Sequence, residues 1–354
     1  MRAVVVREHG GLDRLGIENV LRPEAGPGEV RVRVRAVALN HLDVWVRRGV
    51  PGHRFPLPLI PGSDIAGEID EAGPGVDGWN AGDPVVLAPQ VSCGRCPACL
   101  RGEDPLCPRF AILGESRDGG CAEYVVVPAR GVFAKPAGLS YAQAAAVPLA
   151  FLTAWHMLVA RAGVRPGELV LVHAAASGVS SAAIQIARLW GARVLATAGS
   201  PAKLELARAL GAEIAIDYRT DDFVRAAREW SGKRGVDIAV DHVGAETFDK
   251  TLRCLARGGR YVTCGATSGH EMRSDFRLVF FKNLAILGST MGGMHELATV
   301  LEHVGRGALR PVVGAVLPFE QVAEAHRRLE GREAAGKIVL ELPPAGAPGI
   351  VTGA

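Results

Sequence analysis

The sequence predicts an α/β protein with two domains, an irregular and mostly antiparallel β domain and a doubly wound parallel sheet. Three observations support this fold class. The chain has 354 residues, which exceeds the size of a usual single domain. Its first third reads as short strands separated by glycine and proline. From about Gly167 onward, apolar strands alternate with helical segments, as in a parallel sheet.

The β domain is predicted from its alternation and its turns. Residues 29–37 (EVRVRVRAV) alternate charged and apolar side chains, which is the period-two pattern of a half-buried strand. The segments PEAGPGE and GPGVDGWNAGDP are rich in glycine and proline, so turns interrupt the strands often. We therefore expect irregular connections in this domain.

The parallel sheet is predicted from strands followed by helices. A strand at 169–174 leads through a small-residue turn into a helix over 179–190. The next helix has Ser200 as its N-cap and Pro201 in its first position. Further strands are expected at residues 193–198, 213–218, 236–241, 260–265, 284–290 and 337–342, with a helix over 320–329.

These elements predict the domain boundaries. We expect residues 1–148 and 291–342 to form the β domain and residues 149–290 to form the parallel sheet. Residues 343–354, which are small and rich in proline and glycine, are expected to be a flexible tail.

Composition bounds the partners. The formal net charge is +3, and lysine and arginine are spread along the chain, so neither nucleic acid nor a membrane surface is expected as a partner. No apolar run approaches the ~20 residues that span a bilayer, and the first residues do not resemble a signal peptide. We expect a cytoplasmic protein that acts on a small-molecule substrate.

Four of the seven cysteines form a closely spaced group, Cys93-x2-Cys96-x2-Cys99-x7-Cys107. Four thiolates can close a tetrahedral Zn²⁺ site with no open position for water or substrate, so this site would be structural. Reduced surface thiols are the plain alternative. An iron–sulfur cluster also uses four cysteines, but no other feature of the sequence indicates electron transfer.

The segment between the first strand and helix of the parallel sheet (HAAASGVS) is predicted to bind a dinucleotide. It lies where a Rossmann fold places its pyrophosphate-binding turn, and its small residues let the backbone approach phosphates at a helix N-terminus. The motif is degenerate, since Ala175, Ser177 and Ser180 stand where glycines are usual and Gly178 is retained. A small-residue turn for close packing is the alternative.

The end of the second strand predicts NADPH rather than NADH. An NAD-binding site usually has an acidic residue there for the ribose hydroxyls, but this chain reads AGSPAK. Ser200 and Lys203 can meet a 2′-phosphate, and Tyr218 at the end of the third strand can flank it. Alternatively, Ser200 only caps the helix and Lys203 is solvated. The expected cofactor contacts are His41, Ser177, Gly178, Val179, Ser200, Lys203, Tyr218, Val243 and Gly265.

Together these residues resemble the medium-chain dehydrogenase/reductase superfamily over essentially the whole chain. The cysteine segment resembles zinc-type alcohol dehydrogenases, and the segments ALNHLDVW (38–45), HAAASGVS and ATAGSPAK resemble quinone oxidoreductases. Shorter matches to the superfamily are Pro61–Asp64, Ala122–Val125, Leu152–Trp155 and Gly258–Arg260. The resemblance implies a GroES-like irregular β-barrel domain and a Rossmann cofactor domain.

The chain departs from the family's alcohol dehydrogenases at the catalytic zinc. The family's first ligand falls at Asn40, its histidine at Ser63 and its third ligand near Leu149, and the proton-relay hydroxyl falls at Leu42. Asparagine and serine are poor zinc ligands and leucine is none. The resemblance therefore implies hydride transfer from NADPH to an acceptor that is already electron-poor, a quinone or an alkene conjugated to a carbonyl.

The resemblance assigns roles in that reaction. It places Asn40 near the nicotinamide, where its amide could donate a hydrogen bond to the developing oxyanion. It places Thr153 against the nicotinamide, Trp45 in the substrate pocket and His41 within reach of the pyrophosphate. Alternatively, Asn40 and Asp43 only fix a loop, and Trp45 is plain core. His53, His156, His173 and His242 have no ligand-like spacing in the sequence. We expect these four histidines to be structural or solvated.

Two other functions stay open. One is an alcohol dehydrogenase with a noncanonical metal, for which His41, Asp43 and Asp64 are the candidate ligands. The other is a protein that binds NADPH without turnover. The resemblance also implies a homodimer, because the apolar strand at 284–290 (LAILGST) resembles the family's edge strand, which pairs with its symmetry mate.

Overall fold

The structure, a computed structural model, describes residues 1–343 and contains two compact units. The first unit comprises residues 1–149 together with the described residues from Val313 onward, and the second comprises Ala150–Val312. Of the expected tail, residues 344–354 lie outside the described part of the chain.

The chain forms seventeen strands and eleven α-helices within the described residues. The strands are β1 (Arg2–Val5), β2 (Gly16–Asn19), β3 (Glu29–Ala38), β4 (Asp64–Ala72), β5 (Pro84–Leu87), β6 (Gln90–Val91), β7 (Ala111–Ile112), β8 (Tyr124–Pro128), β9 (Val132–Ala134), β10 (Leu169–Val172), β11 (Arg193–Ala198), β12 (Ile214–Asp217), β13 (Val236–Val240), β14 (Leu255–Thr263), β15 (Ala285–Gly288), β16 (Val313–Pro318) and β17 (Lys337–Glu341). The helices are α1 (His41–Arg48), α2 (Pro97–Leu100), α3 (Tyr141–Ala145), α4 (Pro148–Trp155), α5 (Gly178–Leu189), α6 (Pro201–Ala209), α7 (Phe223–Trp230), α8 (Phe248–Cys254), α9 (Arg277–Lys282), α10 (Met294–Gly305) and α11 (Val322–Glu330).

The first unit is organised around β3. Its alternating valines are buried on one face, and its arginines and glutamate are half-buried on the other, as the period-two pattern predicts. The main sheet has the order β16-β17-β3-β4-β5-β9, with β8 also paired to β3. All of its neighbours pair antiparallel except β16 and β17. The last strand of the fold therefore lies beside the end of β3, although it is almost 300 residues away in sequence.

The second unit is a six-stranded, fully parallel sheet with the order β12-β11-β10-β13-β14-β15. This is the strand order of a Rossmann sheet, and it confirms the doubly wound fold predicted from the sequence. Because the strands are parallel, the turns that follow them meet at one edge of the sheet. The helix starting at Ser200 is capped as predicted, since the Ser200 hydroxyl accepts the backbone N–H of Lys203 at 3.4 Å.

The second boundary between the units differs from the sequence prediction. Residues 291–312, which we expected in the β domain, belong to the second unit. Helix α10 is held there because Glu296 accepts hydrogen bonds from the backbone N–H of Gly293 at 2.6 Å and from His156 Nδ1 at 2.8 Å. This contact also gives His156 a defined hydrogen-bond partner.

One helical stretch is long and apolar enough to cross a membrane by length and composition alone. It covers Tyr141–Arg161 and includes a π-helical segment over His156–Arg161. Its most apolar window is 78% buried inside the protein, which is typical of a core helix. The sequence expectation that no such stretch exists was therefore too strict, although the burial gives little support to a membrane span.

Candidate functional site

The four predicted metal-ligating cysteines lie together in the first unit. Their Sγ atoms all lie within 4.8 Å of one another, with Cys96 and Cys99 at 3.5 Å and Cys93 and Cys99 at 3.9 Å. A tetrahedron with Zn–S bonds of ~2.3 Å has sulfur–sulfur edges of ~3.8 Å. The quartet therefore fits a tetrahedral metal ion with no movement larger than about one ångström.

Backbone N–H groups donate hydrogen bonds to two of these sulfurs. Cys93 Sγ accepts the N–H of Cys96 at 3.3 Å, and Cys107 Sγ accepts those of Cys93 and Arg109 at 3.4 Å each. A hydrogen bond from the backbone of Arg95 is the main cause that lowers the pKa of Cys93 to about 5. In residues 1–343 this quartet is the one group of three or more Cys, His, Asp or Glu ligands that lies close enough to bind a metal ion. His41, Asp43 and Asp64 do not form such a group.

The predicted dinucleotide turn joins β10 to α5 in the second unit. Ser177 is the N-cap of α5, and its hydroxyl accepts the backbone N–H of Ser180 at 3.1 Å. Gly178 and Val179 form the first turn of this twelve-residue helix, whose N–H groups and dipole favour an anion. Ala174 has φ of 52°, an uncommon backbone conformation for a residue with a side chain. The turn has the location and geometry that phosphate binding needs.

His242 contacts this turn, and the sequence did not indicate this contact. It follows β13, and its Nε2 lies 3.1 Å from the Ser177 hydroxyl and 2.9 Å from the Ser180 hydroxyl. The Ser180 hydroxyl donates to the carbonyl of His173 at 2.6 Å, so it accepts from His242. His242 thus joins the turn after β10 to the neighbouring strand.

The three residues predicted to meet a 2′-phosphate come together after β11 and β12. Ser200 caps α6 with Lys203 in its first turn, and Tyr218, 51% exposed, reaches across to Gly199. A Cβ atom at Gly199 would lie 2.6 Å from the Tyr218 hydroxyl oxygen. A side chain at residue 199 would therefore have to displace the hydroxyl end of Tyr218.

The remaining predicted cofactor contacts in the second unit lie at or near the same sheet edge. Val243 and Gly265 follow β13 and β14, and the N–H of Val243 is held by Asp241 Oδ1 at 2.8 Å. Thr153 lies on α4, is 4% exposed and donates to Met291 Sδ at 4.0 Å. Met291 has φ of 50° and follows β15. Backbone strain of this kind is common where a ligand is positioned.

In the first unit, Asn40 lies in a compact polar cluster that includes Lys337. The ammonium of Lys337 donates to Asn40 Oδ1 at 2.5 Å and to Asp64 Oδ2 at 2.8 Å. Asn40 Nδ2 donates to Asp64 Oδ2 at 3.0 Å and to the carbonyl of Ala38 at 3.3 Å, while Asp64 Oδ1 accepts the N–H of Leu149 at 2.6 Å. Both amide hydrogens of Asn40 are therefore engaged within the cluster.

Asp43 fixes the backbone around this cluster. It is fully buried, and its carboxylate accepts the N–H of Asn40 at 2.7 Å and the N–H of Gly62 at 2.9 Å. Burial raises the pKa of Asp43 to about 6, and these two hydrogen bonds oppose that rise. This geometry matches the loop-fixing alternative for Asp43.

The other predicted residues of the first unit lie nearby in sequence but have different surroundings. Trp45 is half-buried and packs against an apolar cluster that includes Val46, Phe55 and Leu59. His41 is the first residue of α1 and is also half-buried. Ser63 is fully buried, and its hydroxyl has no hydrogen-bond partner among the described residues.

Lys337 is the residue that sequence reasoning missed. It was recognised only as the start of a strand, because 297 residues separate it from Asn40. The pairing of β17 with β3 places it there, with the N–H of Leu39 donating to the carbonyl of Ile338 at 2.8 Å. A lysine at the first residue of a buried strand was the available signal, since lysine is rarely buried without a partner.

Two family profiles match the two units. The profile described as an alcohol dehydrogenase GroES-like domain matches residues 26–137, and the one described as a zinc-binding dehydrogenase matches residues 178–306. The family binds NAD(P) and often zinc. The profiles agree with the antiparallel β unit and the parallel sheet described above.

Relatives of known name align over nearly the whole chain. Human quinone oxidoreductase is 31% identical, and the alignment covers 97% of this chain and 98% of the human protein. A 2-haloacrylate reductase of a Burkholderia species is also 31% identical, with 97% and 99% covered. A crystal structure described as an NAD-dependent alcohol dehydrogenase is 53% identical, with a TM-score of 0.94 over 97% of this chain and 100% of that chain. The chain therefore belongs to the medium-chain dehydrogenase/reductase superfamily and is an oxidoreductase.

Proposed function

We propose that this oxidoreductase uses NADPH to reduce an activated acceptor, a quinone or an α,β-unsaturated carbonyl compound, and that it works without a catalytic zinc. The observation that carries the proposal is the Lys337 ammonium. It is bound by Asn40, which takes the place of the family's first zinc ligand, and by Asp64, which follows the place of the second.

The donor set in the first unit does not suit zinc. Asn40 Oδ1 already accepts a hydrogen bond from Lys337, Ser63 offers only a neutral hydroxyl, and Leu149 offers a backbone N–H to Asp64. Zinc prefers thiolate, imidazole and carboxylate ligands, and among the described residues no three such groups lie close enough together around Asn40 to bind a metal ion. A divalent cation in contact with Asp64 would also have to displace the ammonium, since the two positive charges repel one another.

A different metal site supports the proposal of one structural zinc. The four cysteine sulfurs fit a tetrahedral ion and leave no position for substrate. Residues 93–107 contain only short helical segments, so a metal ion would stabilise a segment that has little core of its own. We propose that Cys93, Cys96, Cys99 and Cys107 hold this zinc.

The corner after β11 supports NADPH over NADH. Ser200, Lys203 and Tyr218 present a hydroxyl, an ammonium and a phenol at the place where an NAD-binding sheet presents a carboxylate. A phosphate monoester gains charge-assisted hydrogen bonds from such a set, whereas the ribose hydroxyls of NADH gain little. The turn of Ser177, Gly178 and Val179 would hold the pyrophosphate at the start of α5.

The proposed reaction requires the protein to perform two tasks. When bound, NADPH supplies the hydride. The protein has to hold the acceptor close to the nicotinamide, for which Thr153 and Trp45 stay our assigned contacts. It also has to donate a hydrogen bond to the acceptor oxygen, on which negative charge develops. Water can supply the proton that completes reduction of an alkene.

An NAD-dependent alcohol dehydrogenase is the second candidate. It is favoured by the 53% identity to a crystal structure of that description. The donor set around Asn40 and the chemistry of the corner around Ser200 both oppose it.

One panel of assays separates these candidates. Purified protein is assayed for oxidation of NADPH and NADH with quinones, enals, enones and enoyl thioesters, and for reduction of NADP⁺ and NAD⁺ with primary and secondary alcohols. Zinc is measured on the same sample. We expect NADPH-driven reduction, negligible alcohol oxidation and one zinc per chain. Rapid alcohol oxidation that a chelator abolishes would overturn the proposal.

A further inference from the structure

We propose that the ammonium of Lys337 is the hydrogen-bond donor to the acceptor oxygen, and that it acts in the electrostatic role which zinc has in the family's alcohol dehydrogenases. This inference rests on the proposed reductase function. It changes the role assigned to Asn40, which becomes a positioning residue that holds the ammonium.

The hydrogen-bond inventory of the cluster leads to Lys337. A carboxamide has two N–H donors, and those of Asn40 are directed at the carbonyl of Ala38 and at Asp64. An ammonium has three donors, and within residues 1–343 Lys337 contacts two acceptors, Asn40 Oδ1 and Asp64 Oδ2. The donor left for an incoming oxygen is therefore on Lys337 rather than on Asn40.

The pairing of β17 with β3 and the fixed positions of its hydrogen-bond partners hold the Lys337 ammonium in place. Lys337 begins β17, whose pairing with the end of β3 places the lysine beside Asn40. Asp64 is itself fixed, because its other oxygen accepts the N–H of Leu149 at 2.6 Å. Asp43 holds the backbone of Asn40 and Gly62 on either side. Such an ammonium needs little reorganisation during the reaction, which is the condition for strong electrostatic catalysis.

Burial increases the effect of this charge. The side chain of Lys337 is 5% exposed and that of Asp64 is 0% exposed. Charges separated from water interact more strongly with a developing oxyanion than charges in solvent do. The neighbouring Ser63 adds an independent observation, since its buried hydroxyl has no partner among the described residues. Buried hydroxyl groups usually have a partner, so a water molecule or a ligand oxygen is expected next to Ser63.

The chemistry balances with the hydride of the proposed reaction. Two electrons and a proton move as hydride from NADPH to the acceptor, and the acceptor oxygen gains negative charge. The Lys337 ammonium stabilises that oxygen by a charge-assisted hydrogen bond and stays protonated. Solvent then supplies the second proton, so the sum is one NADPH and one proton consumed per acceptor reduced.

The first test is kinetic. Lys337→Met removes the charge and keeps the length of the side chain, and Lys337→Arg keeps the charge. Arg35→Met is the matched control, because Arg35 lies on β3 in the same sheet and pairs with Glu68 outside the cluster. We expect kcat to fall about 10²–10³-fold in Lys337→Met, as for the loss of one oxyanion donor. We expect partial recovery in Lys337→Arg, an unchanged dissociation constant for NADPH, and wild-type kinetics in Arg35→Met.

The second test is spectroscopic and needs no turnover. 4-Nitrophenol, a phenol whose anion absorbs visible light, is titrated in the presence of each protein with saturating NADP⁺. We expect wild-type protein to lower the pKa of the bound probe by about one unit or more, as an adjacent opposite charge does, and Lys337→Met to lose this shift. The double variant Lys337→Met with Asp64→Asn, which leaves no unpaired buried charge, is used if the single variant does not fold.

The outcomes separate the two proposals. If the wild-type protein reduces no acceptor but shifts the probe through Lys337, the reductase function is wrong and the role of Lys337 as an oxyanion donor stands. If Lys337→Met weakens NADPH binding while kcat and the probe are unchanged, the lysine serves the cofactor and the inference is overturned. The inference is also overturned if Lys337→Met changes neither kcat nor the pKa of the bound probe.

Discussion

The contact between Lys337 and Asp64 predicts a large and sharply defined stability effect. The two groups lie 2.8 Å apart, with side-chain exposures of 5% and 0%. Removing one partner of a buried ion pair leaves an uncompensated charge, which typically costs 3–5 kcal/mol. We expect Lys337→Met to lower the free energy of unfolding by about 3 kcal/mol, at the low end of this range. The reason is that Asp64 keeps hydrogen bonds from Asn40 and Leu149.

The double variant tests the origin of this cost. In Lys337→Met with Asp64→Asn no buried charge remains, and replacement of a whole buried pair by neutral groups is often nearly neutral. We therefore expect the double variant to recover most of the loss, which gives a coupling energy of about 2–3 kcal/mol in the double-mutant cycle. The assay is urea unfolding followed by circular dichroism at neutral pH, with the four proteins compared under identical conditions.

A surface pair provides the matched control. Arg7 and Glu18 are joined by two hydrogen bonds, at 2.6 Å and 3.0 Å, but their side chains are 61% and 33% exposed. Since exposed pairs contribute little, the variant Arg7→Met should unfold with the wild-type midpoint. The reasoning is refuted if Lys337→Met is as stable as Arg7→Met, or if the double variant is no more stable than Lys337→Met.

Four further predictions follow from the described contacts. Cys99→Ser should release zinc and lower the unfolding midpoint. Cys254→Ser, which alters a buried cysteine outside the quartet, should keep the metal. Elemental analysis that finds no zinc in the wild-type protein would contradict the prediction. Lys203→Ala should weaken NADPH binding about 10-fold or more and leave NADH binding unchanged. Arg208→Ala, which removes the same charge from the other end of α6, should change neither affinity. Fluorescence titration measures both affinities, and equal affinity of the wild-type protein for the two cofactors would count against the prediction. The raised pKa of Asp43, about 6, means that the native protein keeps a proton which the unfolded chain loses between about pH 4 and 6, so stability should fall as pH rises through that window. The loss should be at most about 3 kcal/mol, and Asp43→Asn should lack it; parallel pH profiles for the two proteins would exclude it. Finally, β15 is an edge strand of the six-stranded sheet and carries Ile286 at 45% exposure, so light scattering should show a homodimer that Ile286→Lys converts to monomer, and a monomeric wild-type protein at micromolar concentration would contradict this.

Part of the candidate site followed from local sequence signals. The cysteine spacing predicted a quartet because the short intervals, with Gly94 and Pro97 bending the chain, match those of a tetrahedral metal site. The turn HAAASGVS was found because its small residues stand between an apolar strand and a helix, and the cap at Ser200 followed from the Ser-Pro pair. Tyr218 could be placed beside Ser200 because consecutive strands of a doubly wound sheet end at the same edge.

Other features depended on long-range contacts that local signals do not contain. Asn40 was recognised, but its role was assigned without its partner, because Lys337 is 297 residues away and is placed only by the pairing of β17 with β3. The second domain boundary was wrong for a similar reason. Helix α10 has its own amphipathic pattern, and its contacts with Trp155 and His156 in the folded protein show to which unit it belongs.

The sequence alone thus determined the fold class, the strands of the parallel sheet, the thiolate quartet and the absence of the family's zinc-ligating side chains at residues 40, 63 and 149. These depend on the period of apolar residues, on capping and on spacing, which act over a few residues. The tertiary structure decided what surrounds Asn40, since an ammonium from β17 and a carboxylate from β4 lie within hydrogen-bond distance of its side chain. Charges that are distant in sequence act over a few ångströms in space, and only the folded sheet brings these two together.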